Sequence, residues 1–274
     1  MRMPKKKTWW FILYGVLITA LFLYLLFPAA IVKSRLEAQL SSLDFSFKAQ
    51  SLQPSLPMGI RLKNLSVSSV EEGAVLFEGE MLDLQANFLN FRQKRSAVRV
   101  NGKAYGGNFK GRVGFISWNK VYPPVEGTLS FQDIDLAKYS FIKSQLGKDI
   151  AGKARGSLIY NNAAEAVQQM AGSINLFLVQ GSYPLVDSFL GVNRIEYDRG
   201  EIKAQLKNGI LKIEKLEIFG PQLNISLKGE IILAGDFKNS QLNLNGMMEI
   251  LSKNKVKTKI TINGTLASPV SSYI

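Results

Sequence analysis

The sequence contains neither cysteine nor histidine. Without cysteine there are no disulfides and no thiol nucleophile, and without histidine there is no Ser-His-Asp triad, no His-based zinc site and no ordinary proton shuttle for neutral pH. Most hydrolase and metalloenzyme chemistries are thereby excluded. We therefore expect a protein that is not an enzyme, with no catalytic residues, no metal site and no cofactor.

The charge is unbalanced, because 34 Lys and Arg residues stand against 21 Asp and Glu, a formal net charge of +13. These charges are spread along the chain and form no long block, so we predict no nucleic-acid partner. An anionic membrane surface is a better match, and a solvated basic surface is the simplest interpretation. With 274 residues and 46% hydrophobic content, the chain is long and apolar enough to fold around a core.

An uncharged stretch of 19 residues, WWFILYGVLITALFLYLLF, extends from Trp9 to Phe27. At about 1.5 Å per residue, a helix of this length spans roughly the 30 Å hydrocarbon core of a bilayer. Aromatic residues stand at both ends, as they do at membrane interfaces: Trp9, Trp10, Tyr24 and Phe27. The run therefore predicts a transmembrane helix over residues 9–27. A cleaved signal peptide is the alternative, but this apolar core is longer than usual and ends in bulky residues.

Basic residues precede the apolar run, namely Arg2, Lys5, Lys6 and Lys7. Only Lys33 and Arg35 follow shortly after it. Because Lys and Arg are retained on the cytoplasmic side, this bias predicts a cytoplasmic segment over residues 1–8. The remainder of the chain is then exoplasmic. In a Gram-negative cell, this corresponds to a single-pass inner-membrane protein with a periplasmic domain.

Two further segments follow Phe27. Residues 28–43 place Ile31, Leu36, Leu40 and Leu43 at helical spacing, which predicts an amphipathic linker helix. From residue 44 to 274 apolar residues alternate with polar ones, and turn signals such as Asn208-Gly209 separate the runs. We predict a mostly β domain built as a curved antiparallel sheet. Short helices are expected near 135–147 and 183–191, where apolar runs lie between an Asp or Tyr and a Gly.

The apolar face of one predicted strand is a candidate groove, formed by Leu223, Ile225, Leu227 and Ile231. If the strands form one open sheet, few helices are left to cover it, and an exposed apolar concavity of this kind marks a lipid or partner site. The alternative is a closed β-sandwich or barrel in which the apolar faces bury each other.

Three short motifs have ordinary explanations. The segment Gly147 to Lys153 resembles a phosphate-binding loop, but Ala154 replaces the Ser or Thr that would ligate magnesium, so we expect a helix end followed by a strand. The Tyr105-Gly106-Gly107 segment predicts a tight hairpin turn. Asp133 and Asp135 could form a carboxylate pair, yet an N-cap role for Asp135 is more typical of such a position.

Several segments together resemble the AsmA-like envelope proteins: KSRLE at 33–37, GIRLKNLSVSS at 59–69, the glycine turn at 105–107, GTLSFQDIDL at 127–136, ARGSL at 154–158 and GILKIEKLEIFGPQLNISLKGEIIL at 209–233. The short length, the single N-terminal apolar segment and the ending NGTLASP at 263–269 are most similar to the type II secretion system protein N (GspN) family. These are strand and turn patterns, so they transfer no catalytic residue.

The resemblance implies an inner-membrane anchor, a periplasmic curved sheet forming an AsmA-like groove or half-barrel, and association with secretion proteins or with lipid traffic. We accordingly expect a non-enzymatic accessory component of type II protein secretion. The alternative function is lipid handling or outer-membrane assembly, with phospholipid acyl chains accommodated in the apolar groove.

Overall fold

The computed structural model describes residues 6–55, 59–70, 73–86, 96–117, 124–141, 143, 149–162, 170–189, 192–251 and 256–273. Two helices come first: α1 (Lys6–Leu25) and α2 (Ala29–Ser41). Fourteen strands follow: β1 (Phe45–Ser55), β2 (Gly59–Ser69), β3 (Val75–Ala86), β4 (Ser96–Ala104), β5 (Gly107–Phe115), β6 (Glu126–Asp135), β7 (Ala151–Asn161), β8 (Ala171–Phe189), β9 (Val192–Lys207), β10 (Ile210–Phe219), β11 (Leu223–Ile232), β12 (Gln241–Ile250), β13 (Val256–Gly264) and β14 (Pro269–Tyr273).

The strands form one antiparallel sheet whose spatial order is the sequence order, β1 to β14. Tight turns make this possible: Tyr105-Gly106 and Asn208-Gly209 have positive φ at both positions (54° and 75°, 54° and 76°), as two-residue hairpin turns require. This confirms the predicted mostly β antiparallel fold. It also shows that the closed sandwich or barrel is wrong, because β1 and β14 are separate edges of an open sheet.

One row of cross-strand partners runs through all fourteen strands without interruption, and each member is aliphatic, aromatic or glycine. Its members are Leu52, Leu62, Leu82, Gly102, Phe109, Phe131, Gly156, Leu176, Ile202, Leu216, Leu227, Gly246, Ile260 and Tyr273. Because successive side chains point to opposite sides of a strand, this row defines an apolar face, and the alternate residues form a polar face.

The N-terminal end of the apolar face is covered by α2. Phe27, Ala29, Val32, Leu36 and Leu40 pack on it, against a buried cluster formed by Phe47, Ala49, Leu52, Leu62 and Leu65. The predicted linker helix is therefore present and is part of the fold. Ile31 was predicted to lie on the apolar side of this helix, but it is 59% exposed, and Val32 packs against the buried cluster in its place.

Helix α1 coincides with the apolar run of the sequence and ends three residues before Pro28. Among the helices of the described ranges, none is both long enough and apolar enough to cross a bilayer. The predicted transmembrane helix over residues 9–27 is therefore not supported by the structure.

The helix predicted near 183–191 is wrong. Residues 183–189 belong to β8, and Tyr183 and Pro184 pair with Ile195 and Arg194 of β9. At these positions the backbone is therefore paired across the β8–β9 hairpin, in place of the hydrogen bonds within a helix. Near 135–147, a helical turn covers Leu136–Lys138 and residues 140, 141 and 143 are also helical, so helix is present in this segment as predicted; residues 142 and 144–148 lie outside the described residues.

Candidate apolar binding site

The four predicted groove residues lie on the apolar face of β11. Leu223, Ile225 and Leu227 are buried, and Ile231 packs beside them. They belong to a C-terminal core whose other buried members are Ala204, Ile213, Leu242, Leu244, Met248 and Ile260. This part of the face is filled by its own side chains.

An open cavity of about 280 Å³ lies further along the same face, over β3 to β8. Its aromatic walls are Phe77, Tyr105, Phe109, Phe131 and Tyr139. Its aliphatic lining is Ala104, Leu129, Ile134, Leu136, Ala154 and Leu176. The most deeply buried of these residues are the two alanines, Ala104 at 1% and Ala154 at 3% exposure, so short side chains leave the space open.

The aromatic rings of the cavity pack against one another, mostly edge to face. Phe77 lies perpendicular to both Phe109 and Tyr105, at centroid distances of 5.8 and 6.0 Å. Tyr105 contacts Tyr139 at 4.9 Å. Edge-to-face contacts at such distances stabilise aromatic clusters beyond their burial. These contacts hold the cavity wall in one shape.

The absence of a side chain at Gly102 leaves space for the Phe109 ring in the cavity wall. A Cβ atom there would come within 2.5 Å of both the Phe109 ring and the Met81 carbonyl oxygen. Phe109 is the cross-strand partner of Gly102, so its ring lies over the glycine. Any larger residue at 102 would displace Phe109 and reshape the cavity.

The two tyrosines in the wall contribute apolar surface. The Tyr105 hydroxyl accepts a hydrogen bond from the Glu78 amide at 2.7 Å. Burial raises the pKa of Tyr105 to about 12, and burial also raises the pKa of Tyr139. Both phenols are therefore neutral at ordinary pH, and the wall of this cavity carries no charge.

These side chains suit binding of an apolar group. Among the residues that the structure describes, the wall contains no carboxylate, amine or serine that could act as an acid, base or nucleophile. Within the described ranges, no three acidic residues come together to hold a metal ion. An enclosed cavity of about 150 Å³ with a purely apolar lining binds small hydrocarbons, and this open cavity is larger. An acyl chain or another apolar group is the kind of ligand that fits.

The predicted membrane-anchor residues lie in different environments. Trp9, Trp10 and Tyr24 on α1 are 65%, 73% and 47% exposed. Phe27 instead packs against the N-terminal core beside α2. Of the predicted topology determinants, Lys6 and Lys7 begin α1, whereas Arg2 and Lys5 lie outside the described residues.

The minor motifs have the ordinary roles expected of them. The Asp135 carboxylate accepts a hydrogen bond from the Ala137 amide at 3.1 Å and caps the helical turn, as predicted. Lys153 lies within β7, in agreement with the predicted strand start, and residues 147 and 148 of that segment lie outside the described residues. Tyr105 and Gly106 form the predicted hairpin turn, but Tyr105 also lines the cavity, a role that its turn position did not reveal.

The cavity-lining residues were missed from the sequence. Phe109 and Phe131 are aligned partners in neighbouring strands, with glycines at the next positions on either side, Gly102 and Gly156. A pair of large rings between two glycines leaves unfilled space in a sheet face. That signal was present in the sequence but required the strand register to be known.

Comparison of the chain with family models, curated proteins and solved structures finds no match.

Proposed function

We propose that this protein is a non-enzymatic lipid-handling protein that holds an acyl chain in the cavity over β3 to β8. The supporting observation is the cavity itself: about 280 Å³, open to solvent and walled by aromatic and aliphatic side chains. Exposed apolar hollows of this kind mark ligand sites, because leaving such surface in water is unfavourable. An acyl chain would replace that water contact.

We further propose that α1 attaches the protein to a membrane. Its exposed side chains include Trp9, Trp10 and Phe11, at 65%, 73% and 75% exposure. Such a contiguous apolar surface on a helix partitions to a bilayer. The basic residues before it favour a cytoplasmic N-terminus, with the sheet in the periplasm of a Gram-negative cell, at the inner membrane. This topology requires residues 9–27 to cross the bilayer, and that part of the proposal rests on the sequence and not on the structure.

The accessory role in type II secretion stays a prediction from the sequence resemblance. Co-purification of the full chain with components of that secretion machinery would support it. If only phospholipid is retained on the purified protein, lipid handling is the better description.

Filling the cavity tests lipid binding directly. Ala154→Phe would place a ring inside the cavity, whereas Ile159→Phe adds one to the polar face of the same strand, where Ile159 is 51% exposed. The measurement is calorimetric titration of the full chain with monomeric dodecyl maltoside, a neutral amphiphile with one acyl-like chain. We expect Ala154→Phe to abolish binding and Ile159→Phe to leave it unchanged.

Two results would contradict the proposal. One is an unmodified protein that fails to bind the dodecyl chain. The other is an Ala154→Phe variant that is folded by circular dichroism and still binds with the original affinity.

Attachment by α1 has its own test. A reporter that is active only in the periplasm, fused after Ile274, should be active, and the protein should sediment with membranes. Replacing Lys5, Lys6 and Lys7 by Glu should reduce correct orientation because orientation depends on the flanking Lys and Arg. An inactive reporter on the unmodified chain would exclude the proposed topology.

A further inference from the structure

A second, smaller cavity adjoins the apolar one. Its volume is about 130 Å³, and Leu136 and Tyr139 line both cavities. Beyond this shared wall the lining becomes charged, with Lys143, Asp149 and Arg194. The lining of the two adjoining cavities is therefore apolar on one side of Leu136 and Tyr139 and charged on the other side.

The charges of the second cavity do not cancel. The Lys143 ammonium lies 2.8 Å from the Asp149 carboxylate, so these two side chains neutralise each other. Arg194 is exposed, and within the described ranges no carboxylate pairs with its side chain. A guanidinium in this state favours an incoming carboxylate or phosphate, which it can bind through two parallel hydrogen bonds.

The positions of these residues are set by the sheet. Arg194 is in β9 and pairs through its backbone with Pro184 of β8. Leu136 begins the helical turn that Asp135 caps. The cation is thus held on the long β8–β9 hairpin, opposite the turn that separates the two cavities. A ligand that occupies both cavities would pass over Leu136 and Tyr139.

We propose that the ligand is an anionic amphiphile, whose acyl chain occupies the apolar cavity and whose negatively charged head group faces Arg194, with Lys143 beside it. This inference rests on the proposed lipid-binding function and extends it by specifying the charge of the head group. Asp149 opposes the anion and limits its affinity. Removing that carboxylate frees Lys143 as a second cation.

The test compares amphiphiles that share one chain and differ in the head group. Monomeric dodecyl phosphate, dodecanoate, dodecylphosphocholine and dodecyl maltoside are titrated into the full chain by calorimetry, with inorganic phosphate as the probe that lacks a chain. We expect both anionic amphiphiles to bind more tightly than the other two, and inorganic phosphate not to bind. Tight binding of dodecyl phosphate alone would assign the subsite to phosphate head groups.

Two variants should move the affinity in opposite directions. Arg194→Gln should weaken dodecyl phosphate about two- to fivefold, the range typical of exposed charge pairs, and leave dodecyl maltoside unchanged. Asp149→Asn should strengthen dodecyl phosphate. Arg199→Gln is the matched control, because Arg199 is on the same strand but stacks on Phe219, with its guanidinium carbon 4.5 Å from the ring centroid.

The outcomes separate this inference from the function on which it rests. If no dodecyl compound binds, the lipid-binding function itself is wrong. If all four bind equally, or if Arg194→Gln weakens dodecyl maltoside as much as dodecyl phosphate, the chain site stands and the anionic subsite is overturned. Binding of inorganic phosphate with the affinity of dodecyl phosphate would also overturn it, because the chain would then contribute nothing.

Discussion

The C-terminal part of the sheet, β9 to β13, and the central part, β3 to β8, carry the same alternating pattern on the same face but differ in how that face is filled. In the C-terminal part all the buried core residues except Ala204 are large, and Leu227, Leu244 and Met248 are only 4%, 6% and 3% exposed. In the central part the most deeply buried are Ala104 and Ala154. An apolar stripe therefore becomes a core or a cavity according to the size of the side chains at its deepest points.

The two parts also differ on the polar face. In the C-terminal part, Glu201 lies 2.9 Å from the Lys203 ammonium and 2.7 Å from that of Lys215, which also lies 3.0 Å from Glu217. In the central part, Arg112 faces Arg99 across β4 and β5 and lies 4.0 Å from Glu126 of β6. Like-charge partners occur in both parts, since Lys203 faces Lys215 and Glu201 faces Glu217 in the C-terminal part. There, however, the two lysines and the two glutamates lie close enough together to form a network of ion pairs. Packing, with a small contribution from this network, favours the C-terminal part as the more stable one.

The largest contrast is expected from a carboxylate introduced on the apolar face. Leu227→Asp would bury an unpaired charge at a cost of several kcal/mol, a large share of the ~5–15 kcal/mol that stabilises a typical domain. Leu129→Asp in the cavity wall would remain in contact with solvent and cost much less. Thermal unfolding of the full chain is the measurement.

The control for this contrast is Lys228→Asp, because Lys228 is exposed on the polar face of β11 and should tolerate the change. Equal destabilisation by Leu227→Asp and Leu129→Asp would remove the distinction between core and cavity. A mild effect of Leu227→Asp would instead indicate that the C-terminal part is also open.

A smaller effect concerns alkaline pH and the cavity wall. The folded-state pKa of Tyr105 is raised to about 12 by burial, so its stabilising contribution is present below the ordinary value near 10 and is lost as the pH rises through about 12. Ultraviolet titration should show a late-ionising tyrosine that disappears in Tyr105→Phe. Bound dodecyl maltoside should delay this ionisation further, since it removes remaining water. Ionisation of every tyrosine near pH 10 would contradict the described wall.

The smallest effect is expected on the polar face of the C-terminal part. Hydrogen bonds from Lys215 and then Lys203 lower the pKa of Glu201 below its ordinary value. The stabilising contribution of Glu201 is thus present above that ordinary value and is lost as the pH falls through the lowered one. Glu201→Gln should slightly lower the melting temperature at neutral pH and have no effect in strong acid. If the melting temperature of Glu201→Gln is lowered by the same amount in strong acid, the ion pairs of Glu201 are not the cause.

The strand pattern and the tight turns could be predicted from the sequence because both depend on local rules. The alternation from Leu223 to Ile231 and the turn at Asn208-Gly209 follow from side-chain spacing and backbone preference alone. The segment from Tyr183 was misjudged because its apolar spacing also fits a short helix, and only its pairing with β9 decides.

The cavity could not be predicted, because it depends on contacts between strands. Phe109 meets Phe131 only through the register of β5 and β6, and Tyr139 reaches Tyr105 across a turn. The groove was assigned to Leu227 because its alternation is the clearest in the sequence. Clear alternation of large residues marks the best-packed strand, which is why that position is core.

The absence of cysteine allows the most direct test of the central claim, that one face of this sheet contains both a filled core and an open ligand site. Single cysteines are introduced as Leu129→Cys in the cavity and Leu227→Cys in the core, and their reaction rates with a small thiol reagent are compared. We predict that Leu129→Cys reacts readily in the folded chain and is protected by dodecyl maltoside, whereas Leu227→Cys reacts only on unfolding. Equal reactivity at the two positions, or no protection of Leu129→Cys by the ligand, would contradict the account.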